Sequence, residues 1–423
     1  MKAYVESHGC SLNKADGEQL KGFLREKGFA FARAEEADVL VLNTCAVKQV
    51  TEQRMLSRVR RLSALAERTG KKLIVSGCLP KVSANRIAEA GPNAVQVGPS
   101  LGDFSEKLGF ARTESGPLNA RLRENQFISI LPINRGCASQ CSFCATKLAR
   151  GGVGSYDAEE LVRQFRLAVA ETPEVWLTSP DTGTYGMDSG RNLPWLLQRL
   201  LETPGKYRVR VGMMNPQHLL RWLDDYLDLF EDERLYRFFH IPLQSGSQRV
   251  LDLMRRGYKV EDFLEACRAI RKRYPEAMVS TDAIVGFPTE TEDEFGETLD
   301  VIERVQPEMV NVSRYGKRPG TPAAAMQGQL IETVKKTRSR TLAAACRRIV
   351  AERNAELVDK DYEVLVVEHG LKSRFLGRNQ DYKPVILEDD LRGKFVRTRV
   401  KKAEGAYLVG ETAENLLFGI NVR

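Results

Sequence analysis

Long apolar runs are missing from this 423-residue chain. No stretch approaches the length that a membrane span requires, so no membrane partner is expected. Residues 1–10 lack a basic flank followed by an apolar core, so no secretory leader is expected either. A soluble, cytoplasmic protein whose thiols stay reduced is the resulting expectation. Histidine is scarce: His8, His218, His240 and His369 are too dispersed to propose a catalytic histidine. Solenoid-type repeats and low-complexity tracts are absent. Charge is not balanced, and the formal net charge of +8 favours an anionic partner, with nucleic acid first in line.

The pattern along the chain predicts an α/β multidomain protein. In the first hundred residues, Tyr4-Val5, Val39 to Leu42, Leu73 to Val75 and Val95 to Val97 read as strands. Leu20, Phe23 and Leu24 recur at helical spacing between the first two, and strand–helix alternation means a Rossmann-like parallel sheet. A polar stretch from about residue 105 to 125 reads as a linker. Six further strands follow: Phe127 to Ile133, Glu174 to Ser179, Arg208 to Met214, Phe238 to Leu243, Met278 to Val285 and Met309 to Ser313. With helical patterns between them, they suit a partial (β/α)6 TIM-like barrel. Residues 323–357 read as a long helix or helix pair bridging domains. Beyond Asp361, short alternating strands indicate a small antiparallel, OB-like β-barrel. The expected domains are 1–110, 126–357 and 361–423.

Cysteine carries the chemistry. Cys137, Cys141 and Cys144 are spaced C-x3-C-x2-C in the loop after the first strand of the six-strand series. Three thiolates so close can hold three irons of one cubane and leave the fourth open, whereas an electron-transfer cluster has all its irons capped. Zinc sites use paired C-x2-C units, of which only one is present, and a disulfide frame suits small secreted domains. Cys10, Cys45 and Cys78 each stand just after a strand of the N-terminal sheet. Loops at the carboxyl ends of an open parallel sheet converge on one crevice, so these three are expected to meet as a second cluster site. Cys267 and Cys346 lie in helical stretches and read as buried small hydrophobes.

At the C-x3-C-x2-C spacing the chain resembles the radical S-adenosylmethionine (SAM) enzymes, whose unique iron chelates SAM and whose cluster electron cleaves it. That resemblance implies that Phe143 packs near the adenine of SAM. Strand ends ring the expected mouth and supply the candidates for the rest of the SAM site, polar groups for its amino acid and ribose ends and apolar walls for its base: Ser179, Asp181, Thr182, Asn215, Gln244, Ser245, Asp282 and Ile284. The runs His8 to Asn13, Leu42 to Val47, Ser76 to Cys78, Gln244 to Ser247 and Val285 to Glu290 then extend the likeness over essentially the whole chain, to the methylthiotransferases. The residues after the third cluster cysteine, Ala145 to Gly151, and Ser179 to Gly186 resemble the archaeal and eukaryotic branch. That branch acts on N6-threonylcarbamoyladenosine beside the anticodon of tRNA. Sister branches act on isopentenyladenosine or on a ribosomal-protein aspartate.

The resemblance implies two [4Fe-4S] clusters and SAM as cofactors. SAM serves both as methyl donor and as the radical source that removes hydrogen from C2 of the adenine. Cys137, Cys141 and Cys144 would hold the SAM-cleaving cluster, and Cys10, Cys45 and Cys78 the auxiliary, sulfur-donating one. Implied partners are tRNA, bound by the C-terminal TRAM barrel and basic surface, an electron donor of flavodoxin or ferredoxin type, and a sulfur donor. Two basic runs with Phe375 and Phe395 interleaved are the RNA candidates: Lys372, Arg374 and Arg378, then Arg392, Lys394, Arg397, Arg399, Lys401 and Lys402. A non-catalytic two-cluster electron carrier and an RNA-binding protein with a structural cluster are the competing classes.

Overall fold

The computed structural model describes residues 1–46, 49–116, 120–370 and 373–412. Its N-terminal part is a five-stranded, all-parallel sheet. The three inner strands are β1 (Lys2–Ser7), β2 (Val39–Thr44) and β3 (Lys72–Gly77), flanked by the short edges Ala30–Phe31 and Val95–Gln96. Every residue of β2 is buried because helices cover both faces. Val39 and Val41 pack with Leu20, Phe23 and Leu24 of α1 (Ser11–Glu26). Leu40 and Leu42 point the other way, onto Met55, Leu56, Val59 and Leu62 of α2 (Gln49–Thr69). This sheet is the one its strand pattern predicts.

Six strands of the central part run in chain order as two parallel three-stranded sheets. The first holds β4 (Ile128–Pro132), β5 (Glu174–Thr178) and β6 (Arg208–Val211). The second holds β7 (Phe238–His240), β8 (Met278–Val285) and β9 (Met309–Arg314). Backbone bonds from Val209 N to Arg234 O (2.7 Å), Tyr236 N to Val209 O (2.9 Å) and Met214 N to His240 O (3.0 Å) join them into one arc. The cluster loop is more elaborate than expected. Asn134–Arg135 pairs with Gly154–Ser155, so a small hairpin frames Cys137 to Cys144 and the short helix α3 (Thr146–Arg150). The region expected as a helix or helix pair is a four-residue helix, Pro322–Ala325, and α4 (Glu332–Ala355), which packs along β9 and reaches the C-terminal barrel.

The stretch read as a linker is a strap. Its first residues finish the helix Leu101–Lys107, and residues 120–125 lie against α1. Arg121 donates to Ala15 O (3.1 Å), Leu122 N to Glu18 O (3.0 Å), and Lys21 pairs with Glu124 (2.7 Å).

The C-terminal part closes into a five-stranded barrel of β10 (Asp361–His369), β11 (Phe375–Arg378), β12 (Pro384–Leu387), β13 (Phe395–Glu404) and β14 (Tyr407–Thr412). The sequence pattern predicts an antiparallel barrel, and four of its five pairings are antiparallel, but β12 meets β14 in parallel, which closes the ring and leaves no open edge. The barrel docks on the central arc through aromatic contacts of Tyr382 with Tyr236 (4.8 Å) and Phe238 (4.7 Å). Beside them, Glu308 is 1 % exposed at its side chain and bonded to Lys383 (2.9 Å), Arg271 and Arg353. Burial alone would raise its pKa, but the three cations hold it down at about 2. Among the described residues, no helix is long and apolar enough to cross a membrane.

Candidate active site

At the carboxyl ends of the central strands lies a cavity of ≈ 410 Å³. Cys137, Cys141 and Cys144 line it, with Phe143, Asp181, Asn215, Gln244, Asp282 and Ile284. Six of the nine sequence-chosen candidates for the SAM site thus share one wall system. Three do not line it. Ser179 Oγ accepts from Asp181 N (3.1 Å), Thr182 Oγ1 donates to Met213 O (3.0 Å), and the fully buried Ser245 accepts from Ser247 N (3.2 Å). Ser179 and Ser245 close local turns, as short hydroxyl side chains commonly do, while Thr182 ties its strand end to the next one.

Local backbone geometry sets the cysteine loop. Gly136 has φ +66°, and a Cβ there would stand 1.7 Å from Gly152 O. Only glycine lets the two arms of the hairpin close beneath the cysteines. Arg256, which sequence reasoning missed, donates to Cys141 Sγ at 3.0 Å and is anchored by Tyr258. Thr146 N points at Cys144 Sγ (3.4 Å). Burial pushes the Cys137 thiol up to about 11, with the Asp181 charge adding to it. Burial raises the Cys141 thiol as well, and a strong local positive charge, such as cluster irons provide, favours the thiolates.

The remaining polar walls are poised and partly unsatisfied. Asp181 accepts from Gly183 N (3.1 Å) and Asn215 N (3.2 Å), yet burial pushes its pKa up to about 6. His218 Nε2 is 3.8 Å from Asp181, but burial lowers the imidazole to about 4, so the contact is not an ion pair near neutrality. His240 Nε2 meets Asp282 Oδ2 at 3.0 Å. Gln244 takes φ +67°, costly for a non-glycine residue, and its buried Oε1 has no protein partner. A strained residue carrying an unpaired acceptor in a cavity wall fits a ligand donor.

The three strand ends that precede Cys10, Cys45 and Cys78 lie side by side, the placement that parallel topology imposes. Adjacent strands end in register, Ser7 opposite Asn43 and Thr44 opposite Gly77. Cys78 N bonds Thr44 O at 3.0 Å and His8 N bonds Asn43 O at 3.1 Å, so the loops that carry the three cysteines leave neighbouring strand ends. Gly77, at φ +95°, is the residue that permits the approach, since a Cβ there would lie 2.3 Å from Thr44 O. Cys10 is exposed, whereas Cys45 and Cys78 are buried. Burial pushes the Cys78 thiol up to about 11. Among the described residues no three His, Cys, Asp or Glu side chains are gathered as for a single metal ion. A cubane differs, because it takes one thiolate at each of three irons and spaces them apart.

Two arginines of the central part bring positive charge to this second triad. Arg150, in the run after Cys144, is paired with Asp16 (2.5 Å) and lies in the field of Cys78 and Cys10. Arg318 lines the SAM-side cavity, bonds the buried Glu52 of α2, and lies in the field of Cys45. Arg86 also bonds Glu52, and Ser83 donates to it at 2.9 Å. Cys267 and Cys346 are buried in helices away from both triads, and burial pushes Cys267 up to about 12.

The basic runs fare unevenly. Arg378 is 12 % exposed at its side chain and held by Glu368 (2.6 Å), and Phe395 is 6 % exposed beneath Lys206 and Arg208, so neither is offered openly to solvent. Arg392 is tied to Asp390 and lies over Phe375 and Phe127. Lys394, Arg397, Arg399, Lys401 and Lys402 are exposed on or beside β13. Arg397 and Arg399 have only distant partners, Asp361 at 3.9 Å and Asp359 at 3.8 Å. Arg374 meets Glu388 at 3.3 Å, and Lys372 lies outside the described residues.

Three family descriptions match consecutive parts of the chain: Uncharacterized protein family UPF0004 over residues 2–98, Radical SAM superfamily over 131–302, and TRAM domain over 356–413. The fold resembles a radical S-adenosylmethionine methyltransferase of Kitasatospora setae, solved with cobalamin and a [4Fe-4S] cluster. The TM-score is 0.57 at 14 % identity, covering 76 % of each chain. Much nearer in sequence is a protein of Archaeoglobus fulgidus named probable threonylcarbamoyladenosine tRNA methylthiotransferase, 40 % identical over 98 % of this chain and 99 % of that one. The Drosophila melanogaster threonylcarbamoyladenosine tRNA methylthiotransferase is 36 % identical over 98 % of this chain and 78 % of its own. With such identity over nearly its whole length, the chain belongs to the threonylcarbamoyladenosine tRNA methylthiotransferase family.

Proposed function

We infer that this protein replaces the C2 hydrogen of N6-threonylcarbamoyladenosine in tRNA with a methylthio group, using SAM as both methyl donor and radical source. The observation that carries the reading is the end-to-end likeness to enzymes named for that substrate. Three loop cysteines lining the central cavity, and three more after neighbouring strand ends of the N-terminal sheet, support it. An aromatic C–H is not appreciably acidic, so side chains alone cannot activate it. A [4Fe-4S] cluster with SAM supplies the one-electron chemistry that can, and the protein supplies position and field.

On this reading Cys137, Cys141 and Cys144 hold the SAM-cleaving cluster, with Arg256 stabilising the negative charge on Cys141. Asp181, Asn215, Gln244, Asp282 and Ile284 surround SAM, and Phe143 covers its base. Cys10, Cys45 and Cys78 hold a second [4Fe-4S] cluster, the sulfur-donating one, with Arg150 and Arg318 offsetting its charge. The working units are residues 1–110, 126–357 and 361–423. The TRAM barrel binds RNA, and the exposed cations of β13 are its side chains for phosphate. A cytoplasmic setting, an electron donor of flavodoxin or ferredoxin type and a separate sulfur donor complete the reading.

Mass spectrometry of tRNA nucleosides after anaerobic incubation with the reconstituted protein, SAM and reductant tests it. The 2-methylthio derivative should arise from threonylcarbamoylated tRNA and not from isopentenylated tRNA. The opposite preference would overturn the substrate assignment.

A further inference from the structure

The far wall of the cavity is formed by the end of β9 and the turn after it, Val312 to Gly316, with Arg318 and Ser339. Three arginines line the cavity, and they differ in what already binds them. Arg256 is buried on Cys141 and Tyr258, and Arg318 is buried on Glu52. Arg314 has one long bond, 3.3 Å to Glu332, and of the described residues lining the cavity it alone is exposed. Glu332 is itself 63 % exposed and takes a 3.0 Å bond from Lys335 through its other oxygen. It therefore keeps a cation when Arg314 turns away. An exposed ion pair of this kind is worth little. A carboxylate entering the cavity could instead take two parallel charge-assisted bonds from the guanidinium.

We propose that Arg314 reads the free carboxylate of an amino acid carried on the target adenine, exchanging Glu332 for it. The proposal rests on the substrate reading above. Threonine joined through its nitrogen to a carbamoyl group keeps an ionised carboxylate, whereas an isopentenyl group has none. Asp181 and Asp282 repel such a charge in the rest of the cavity, which leaves the β9 wall as the side that accepts it. A site built around a charged group discriminates strongly against analogues lacking it.

The test compares wild type, Arg314→Gln and Arg314→Lys of the full chain on threonylcarbamoylated tRNA and on the same tRNA with that carboxylate methyl-esterified. Both methylthiolation kinetics and tRNA affinity of the cluster-free protein are measured. A hydrogen-bonded charge is worth roughly 10- to 100-fold in binding. Esterification should weaken wild-type KM and Kd by that factor, Arg314→Gln should do the same with the acid, and the two losses should not add. Arg314→Lys should recover part of the loss. Equal esterification penalties in wild type and Arg314→Gln would overturn the proposal. So would a rise in KM for SAM rather than for tRNA, which would mean that Arg314 reads the carboxylate of SAM. If wild type modified neither tRNA, the substrate reading would fall and the proposal with it.

Discussion

Cys137, Cys141 and Cys144 lie within one loop, whereas Cys10, Cys45 and Cys78 come from three strand ends of a parallel sheet. The first triad is nearly prearranged by its own short hairpin. The second exists only when β1, β2 and β3 are in register, because one residue of slip would turn each strand's side chains to the other face. The local triad is therefore robust to changes elsewhere, and the scattered one reports the integrity of its whole domain. Their surroundings differ in the same sense. Arg256 serves the loop triad through a direct 3.0 Å contact, while Arg150 and Arg318 serve the other from across a domain boundary.

The contrast breaks first at the ligands. Cys137→Ala should reduce SAM cleavage to background while iron remains on the N-terminal part, read by product chromatography alongside iron analysis. Cys45→Ala should show the converse, with SAM cleavage retained and methylthiolated nucleoside absent from the mass spectrum. Gly77→Val carries the comparison to backbone geometry. A side chain at φ +95° costs about 1–3 kcal/mol in strain alone and collides with Thr44 O. This variant should lose the N-terminal iron and keep the loop iron, as judged by iron content and electron paramagnetic resonance.

The smallest effect concerns the α1 strap. Glu18 is 2 % exposed, and burial pushes its pKa up to about 7, above its ordinary value. A carboxyl raised on folding stabilises below its unfolded pKa, and that contribution is lost as pH rises through about 7. Glu18→Gln should therefore raise stability by about 1–3 kcal/mol at pH 8 and change it little at pH 5, by thermal unfolding at the two pH values.

Much of this arrangement was legible in the sequence, for identifiable reasons. Val39 to Leu42 is an unbroken apolar run, the signature of a strand buried on both faces, and the cysteines followed such runs. Their neighbouring strand ends then followed from parallel topology. Arg318 and Glu52 were not legible, because the partners are 266 residues apart and neither stands in a motif. Ser179, Thr182 and Ser245 look like ligand groups in one dimension, but in three the two serine hydroxyls close turns and that of Thr182 ties two strand ends together. Arg378 and Phe395 misled in another way: composition identifies a basic, aromatic strand, whereas docking against Glu174 to Tyr236 decides which face is covered.

Iron content and cluster spectroscopy of three anaerobically reconstituted proteins test the central claim most directly: wild type, a triple Cys→Ala variant at 10, 45 and 78, and one at 137, 141 and 144. Two independent cubanes predict about eight irons in wild type and about four in each variant. About four irons in wild type, or their complete loss in either variant, would contradict two separate centres.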